Sequence, residues 1–163
     1  MGSFSMTLDF RAMDEALSKL PEKVQGNFAR KALKAGGNVI LGALLDNTPV
    51  MTEAQPGSDA LAPGEMKAHA TTTVQISTKG EVARCLIGFD SDVAHVARFV
   101  NNGHDIWTGG RGNGSRKKGK RGTYRGRVEG KHFIERALDE SAAKAVDVML
   151  TTLGESLMSG SAE

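Results

Sequence analysis

The sequence predicts an α+β protein in which long N-terminal and C-terminal helices pack on a small antiparallel β-sheet, with a long basic Gly-rich loop. Apolar residues recur at helical spacing near both ends of the chain, and a stretch between them alternates as β-strands do. Nine of the 20 glycines fall in one basic stretch. The 163 residues suit one domain with a single core, so we expect residues 1–163 to form a single domain.

The first predicted elements are two helices. Spaced apolar residues indicate an N-terminal arm or short helix over residues 1–20. A longer helix is predicted from Pro21 to residues 47–49, where it ends because the residue before a proline is driven out of the α-region. Gly36 and Gly37 interrupt this helix and predict either a kink or close packing against a neighbour.

The later elements of the core unit, residues 21–158, follow from changes in periodicity and from breaker residues. In order they are a Pro- and Gly-rich loop over 51–66, a β-hairpin over 70–89 with its turn at Lys79 and Gly80, a short helix over 93–101, a flexible basic loop over 103–130, a long helix over 132–158 and a tail over 159–163.

Positive charge is concentrated in the predicted loop. The chain has a net charge of +2, but residues 103–130 hold eight Lys or Arg against two acids. Three interpretations stay open: a solvated loop, a non-specific contact with nucleic-acid phosphates, and an arm that orders against an acidic protein surface. The rest of the chain is net acidic and can itself provide such a surface. The candidate interface or DNA-facing residues are Arg111, Arg116, Lys117, Lys118, Lys120, Arg121, Arg125 and Arg127.

No pattern in the sequence indicates catalytic, cofactor-binding or metal-binding residues. The segment Gly114–Lys120 has the spacing of a phosphate-binding loop, but Arg121 stands where Ser or Thr should hold magnesium. Cys85 is the single cysteine, so an intrachain disulfide is excluded. The four histidines are scattered, without metal-ligand spacing. We therefore expect a protein that is not an enzyme; a hydrolase using His95 or His104 as base is a weaker hypothesis.

Four segments of the chain follow one another in a fixed order: Thr48-Pro49-Val50 with Thr52, then Gly64-Glu65-Met66-Lys67, then Val96 to His104, and finally His132 to Leu138. In this order they resemble the motifs of the tail-completion, or head–tail joining, protein family of lambda-like long-tailed bacteriophages. The resemblance covers about residues 22–158. The family has a Thr-Gly pair after its Pro-Val turn, and this chain has Glu53 in place of that glycine. It also has Asn101 where the family has glutamate, and it lacks both prolines of the family's last motif.

The resemblance implies a structural virion protein that forms a homo-oligomeric, hexameric ring in the neck or tail. Its partners would be the adjacent head-connector protein and the tail-terminator or tail-tube protein, with transient contact to passing DNA. Such a protein would be found in the virion, and in the host cytoplasm during assembly. The alternative is a non-specific nucleic-acid-binding protein that uses the basic loop, for which affinity should fall steeply with salt.

Overall fold

The computed structural model describes residues 22–50, 61–76, 83–108 and 123–160. Within these ranges the elements are α1 (Glu22–Asn47), α2 (Glu65–Ala68), β1 (Ala70–Ile76), β2 (Ala83–Phe89), α3 (Ala94–Asn102), β3 (Gly103–Thr108), β4 (Thr123–Glu129) and α4 (Phe133–Gly160). β1 pairs with β2 and β3 pairs with β4 in two separate two-stranded antiparallel sheets. The predicted α+β class is confirmed. The predicted arm over 1–20 lies outside the described residues.

The described residues fall into two compact units, and both long helices contribute to each. The first unit contains α1 up to Gly42, Thr72–Ile87 of the hairpin and α4 from Ser141 onward. The second contains Ala43–Thr71 and Gly88–Glu140. The core of the first unit is made mostly of small and aliphatic side chains from α1 and α4. These are Ala29, Ala32, Leu33, Ile40, Ala145, Met149 and Leu153.

The two glycines in the middle of α1 allow close packing in the first unit. A Cβ on Gly36 would lie 2.2 Å from Met149 Cε and 2.9 Å from the Ala145 carbonyl oxygen. A Cβ on Gly37 would lie 2.5 Å from Cys85 Sγ. Real Cβ atoms do not approach neighbours so closely, so α4 and the hairpin pack where a side chain is missing. The predicted close packing at this pair is confirmed.

The second unit is organised around Phe133, at the start of α4. Phe133 is fully buried, and its ring meets that of Phe89 edge to face at a centroid distance of 6.0 Å. The hydroxyl of Thr48 donates to the Leu44 carbonyl at 2.5 Å, which closes the end of α1. The other buried apolar residues of this unit are Leu44, Met66, Val93, Ala97 and Ala137.

The prediction of two loops, over residues 51–66 and 103–130, is partly wrong. The predicted loop over 103–130 is replaced at both ends by strands, β3 and β4, while residues 109–122 lie outside the described residues. The strands form because the flanks hold β-branched and aromatic residues such as Ile106 and Tyr124, whose cross-strand contacts outweigh the local glycines and charges. The predicted loop over 51–66 gives way to α2 at its end, where Met66 is buried.

Candidate interaction surface

β3 and β4 form a two-stranded antiparallel ribbon, called the ribbon below. Its register pairs Gly103 with Glu129 at one end and Thr108 with Thr123 at the other. The register shifts between Ile106 and Trp107, so that β4 has one residue more than β3 at this point of the ribbon. Such a bulge re-aims side chains and increases strand twist. The adjacent Gly126 has a φ of 131°, which glycine tolerates and other residues rarely adopt.

The base of the ribbon is fixed to the end of α3 by glycines. Gly103 has a φ of 73°, and a Cβ there would lie 2.3 Å from the Val128 carbonyl oxygen. A Cβ on Gly130 would lie 2.3 Å from the Asn101 carbonyl oxygen. The amides of Lys131 and His132 donate to the carbonyls of Val100 and Asn101, at 2.9 and 3.1 Å. The base of the ribbon is therefore held against the end of α3.

Asn101 links the end of α3 to the start of α4. Its side chain is buried, and its Oδ1 accepts a hydrogen bond from the Ile134 amide at 3.0 Å. Its Nδ2 donates to Glu135 Oε1 at 3.0 Å and to Asn102 Oδ1 at 2.9 Å. The Asn101 side chain thus accepts a hydrogen bond from a backbone amide in the first turn of α4, where backbone amides have no acceptor within the helix. It also donates a hydrogen bond to the Glu135 carboxylate.

Large apolar side chains are exposed on and beside the ribbon. The rings of Trp107 and Tyr124 meet edge to face across the strands at 5.3 Å, and Phe99 of α3 lies 5.4 Å from the His104 ring. Apolar groups in such numbers on a small sheet usually mark a surface that a partner covers. The five side chains, each between 40% and 52% exposed, are Phe99, Ile106, Trp107, Tyr124 and Val128.

Two of the eight predicted interface cations, Arg125 and Arg127, lie exposed on β4. Arg127 is 3.5 Å from Asp105 across the ribbon and donates to the Asn102 carbonyl at 3.3 Å. Both distances are longer than those of strong charge-assisted hydrogen bonds. The other six predicted residues lie outside the described ranges; they are Arg111, Arg116, Lys117, Lys118, Lys120 and Arg121.

An open pocket lies where α3 meets the base of the ribbon. Two arginines, a histidine and a phenylalanine line it, and none of the described residues that line it is acidic. This composition suits a carboxylate or phosphate group, because arginine binds both in a bidentate manner. The lining residues are His95, Arg98, Phe99, Asn102, Gly103 and Arg127.

Sequence reasoning identified the charges of this surface and missed its apolar residues and Arg98. The five exposed apolar side chains and the pocket were not predicted, because the ribbon was interpreted as loop. A signal was present in Ile106-Trp107-Thr108 and Thr123-Tyr124, two short β-forming runs on either side of the cationic segment.

A second cluster, also missed, brings His69 together with Asp90 and Asp92. His69 Nδ1 lies 2.6 Å from Asp90 Oδ2, and the ligand atoms of all three residues lie within 4.8 Å of one another. Asp90 Oδ1 also accepts the Asp92 amide at 3.1 Å. A divalent cation could use these groups, but both carboxylate oxygens of Asp90 already hold local hydrogen bonds. The cluster joins the start of β1 to the end of β2, which are far apart in sequence.

The pair formed by His69 and Asp90 should make stability depend on pH. The hydrogen bond that the Asp90 carboxylate accepts from His69 raises the pKa of His69 above 6.5, and the same bond lowers the pKa of Asp90 below 3.8. The His69 contribution is complete below pH 6.5 and is lost as pH rises through the raised value. The Asp90 contribution is complete above pH 3.8 and is lost as pH falls through the lowered value.

We therefore expect the difference in urea midpoint between the wild type and Asp90→Asn to be largest between pH 3.8 and 6.5 and to shrink on either side. NMR titration of the His69 imidazole gives the folded pKa directly. Asp46→Asn, at an exposed acid elsewhere in the second unit, should leave the pH profile unchanged. A His69 pKa at or below 6.5 would contradict the assignment.

The other three histidines have different neighbours. His132 is exposed and its Nδ1 lies 3.9 Å from Glu135 Oε1, whereas His95 lines the pocket and His104 lies against Phe99. Among the described residues, His69, Asp90 and Asp92 form the one group of three potential metal ligands. The phosphate-loop-like segment 114–120 lies outside them. That the protein is not an enzyme stays a prediction.

No helix in the described ranges combines the length and the apolar character that crossing a membrane requires. Comparisons with protein-family models, with curated proteins and with solved structures found no match to this chain.

Proposed function

We propose that this chain is a structural virion protein of a tailed bacteriophage, a neck or tail-completion subunit that forms a homo-oligomeric ring and joins the tail to the head. In that role it contacts the head-connector protein on one side and the tail-terminator or tail-tube protein on the other. It acts by binding other proteins, in the virion and, during assembly, in the host cytoplasm.

The ribbon is the observation that carries this proposal. A two-stranded sheet exposed on both faces is marginally stable by itself in water. Here it also exposes Ile106, Trp107, Tyr124 and Val128. Side chains of this kind are the ones that dominate binding energy when a partner buries them. Such a ribbon is expected in a subunit whose neighbours in an assembly cover these apolar side chains.

The order of elements supports the same assignment. In the resemblance a helix ends in a Pro-Val turn, and here α1 ends at Asn47 before Thr48-Pro49-Val50. A hairpin and a short helix follow, and His132 to Leu138 begins the last helix. The variable loop of the resemblance corresponds to residues 103–130, whose two ends form β3 and β4.

The experiment is a measurement of the oligomeric state, by light scattering and electron microscopy, with the wild type and Trp107→Ala. We expect a discrete ring for the wild type. Trp107→Ala should weaken self-association at least about tenfold, because a buried interface tryptophan typically contributes more than about 1.4 kcal/mol. Leu86→Ala, at a residue that is 44% exposed on β2, is the matched control and should assemble normally.

A wild type that stays monomeric at high concentration, and that phage particles carry nowhere in the neck or tail, would contradict the proposal. If both Trp107→Ala and Leu86→Ala lost assembly, self-association would depend on exposed apolar residues in general. The ribbon would then no longer support the proposal.

The ribbon also supports a second candidate, a non-specific nucleic-acid-binding protein. Trp107 and Tyr124 lie together at the end of the ribbon that leads to the cationic segment, and adjacent aromatic rings and cations are what single strands bind. This function requires that the logarithm of the DNA-binding constant fall linearly with the logarithm of the salt concentration. Binding that is independent of salt, or absent, would exclude it.

A further inference from the structure

We propose that the open pocket between α3 and the base of the ribbon binds the terminal phosphate of a nucleotide, with Phe99 as the stacking surface for its base. The nucleotide is either free or the end of a nucleic-acid strand, since both carry the same phosphate. The described residues that line the pocket all belong to the second unit. Its volume, about 550 Å³, lies within the range of small-molecule sites, roughly 300–1,000 Å³. The inference goes beyond the proposed ring and does not depend on it.

One exposed face of α3 forms most of the pocket. The lining residues of this helix occur at positions i, i+3, i+4 and i+7, which share one side of an α-helix. The residues that α3 buries, Ala97 and Asn101, lie on the opposite side. The lining is therefore set by the register of the helix, and its members are accessible to a ligand. They are His95, Arg98, Phe99 and Asn102, all exposed.

The side chains of the pocket retain unused hydrogen-bond donors. Arg127 contacts the Asn102 carbonyl at 3.3 Å and Asp105 at 3.5 Å, and its guanidinium has further N–H groups. The side-chain oxygen of Asn102 accepts a hydrogen bond from Asn101 Nδ2 at 2.9 Å, so the side-chain N–H groups of Asn102 remain as donors. The Arg98 side chain has no hydrogen bond or ion pair with any described residue. Such a set of donors suits an anion.

The negative end of α3 is compensated at this point. The last carbonyl oxygens of a helix carry partial negative charge, which would repel an anion. Here the carbonyls of Val100 and Asn101 accept hydrogen bonds from the backbone amides that follow β4, at 2.9 and 3.1 Å. The Asn102 carbonyl accepts one from Arg127 at 3.3 Å. The pocket is therefore suited to an anion although it lies at the end of the helix.

The charge of the pocket favours a phosphate monoester over a carboxylate or a phosphate within a strand. Arg98 and Arg127 are both positive, and none of the described lining residues is acidic. Asp105 offsets part of the Arg127 charge, but weakly, because the pair is exposed and 3.5 Å apart. A phosphate monoester carries roughly −1.5 to −2 charges at pH 7, whereas a carboxylate or a phosphodiester carries about −1. The guanidinium fork binds phosphate oxygens in pairs, so two arginines match the terminal phosphate best.

Phe99 distinguishes a nucleotide from other phosphates. Its side chain lines the same pocket, is 51% exposed, and has its ring 5.4 Å from that of His104. Nucleic-acid bases stack on aromatic side chains, largely without preference for one base. Inorganic phosphate and phosphoserine have no aromatic group to place there. A nucleotide thus uses both the charged and the aromatic part of the pocket.

Two short DNA strands that differ in one group test the proposal. Fluorescence anisotropy measures the affinity of the full chain for an oligothymidylate with a terminal phosphate and for the same strand without it, at about 100 mM salt. We expect the phosphorylated strand to bind at least about tenfold more tightly, because it alone supplies a phosphate monoester. Thymidine monophosphate should compete with it, and inorganic phosphate should compete more weakly. Acetate at the same ionic strength should not compete.

Substitutions in the pocket should remove this preference. Arg98→Gln with Arg127→Gln should bring the two strands to equal affinity. The matched control, Arg30→Gln with Arg84→Gln, changes the net charge equally at exposed arginines of the first unit and should keep the preference. Phe99→Leu should weaken the binding of thymidine monophosphate at least about fivefold and leave competition by inorganic phosphate unchanged.

Three other outcomes would overturn the inference. Equal affinity of the wild type for the two strands excludes a site for a terminal phosphate. Competition by acetate or phosphoserine as strong as that by thymidine monophosphate assigns the pocket to a protein partner. A preference that survives in the pocket variant, or that disappears in the control, shows that the phosphate is not bound by these two arginines.

Arg98→Gln alone separates misfolding from loss of the site. Because the Arg98 side chain has no described partner, this change leaves the contacts of Arg127 with Asn102 and Asp105 intact. It should still reduce the preference at least about threefold, with an unchanged thermal unfolding midpoint. Sedimentation velocity gives the oligomeric state in parallel. A monomer that prefers the phosphorylated strand contradicts only the ring, and a ring without the preference contradicts only this inference.

Discussion

Replacing Gly36 with alanine should lower the free energy of unfolding by about 2 kcal/mol, although alanine forms helices better than glycine by about 1 kcal/mol. The new Cβ would lie 2.2 Å from Met149 Cε, 2.4 Å from Met149 Cγ and 2.9 Å from the Ala145 carbonyl oxygen. Met149 can move its terminal methyl, but the Ala145 oxygen belongs to the helix backbone. The two helices must therefore move apart, which weakens a core built from small residues. Urea unfolding followed by circular dichroism measures the loss.

The control for this experiment lies in the same helix. At Gly42 a Cβ would meet nothing within 4 Å, so Gly42→Ala should raise the free energy of unfolding by about 0.5–1 kcal/mol through helix propensity and reduced chain entropy. The two substitutions are chemically identical and should have opposite signs. Equal signs would mean that the packing of Met149 against Gly36 does not control stability.

The helices and the hairpin could be predicted because their signals are local. α1 was expected to start at Pro21 and end by Pro49, and it runs from Glu22 to Asn47. The strands over 70–76 and 83–89 follow from a run of threonines and alternating apolar residues. Close packing at Gly36 was also expected, but its partner was not. Nothing in the local sequence connects Gly36 to Met149, because the contact joins residues far apart in the chain.

The ribbon could not be predicted from local preference. The run Arg125-Gly126-Arg127 is typical of a loop, and the pairing of β4 with β3 is stabilised only across the strands. The charged character of the candidate surface was evident from composition. Its apolar part was not, because Trp107 and Tyr124 are separated in sequence and become neighbours only through the register. The same reason concealed the cluster of His69 with Asp90.

Asn101 shows how a single polar residue can hold two elements together. The family that the chain resembles has glutamate at the position of Asn101. In the structure the side chain faces Glu135, and a second carboxylate there could not donate the hydrogen bond that Asn101 Nδ2 gives to Glu135 Oε1. Glu135 Oε2 is buried and has no hydrogen-bond partner among the described residues, so the carboxylate is held there through its other oxygen. The start of α4 is thus sensitive to the loss of one amide group.

Replacing Asn101 with alanine should therefore cost about 3 kcal/mol, since it leaves the Ile134 amide and the Glu135 carboxylate without their partner in a buried setting. We expect a lower urea midpoint together with faster hydrogen exchange at Ile134. Asn102→Ala is the matched control: that residue is exposed, and its loss removes only one acceptor from Asn101. It should cost less than about 1 kcal/mol. Similar losses in both variants would show that the buried amide is not what anchors α4 to α3.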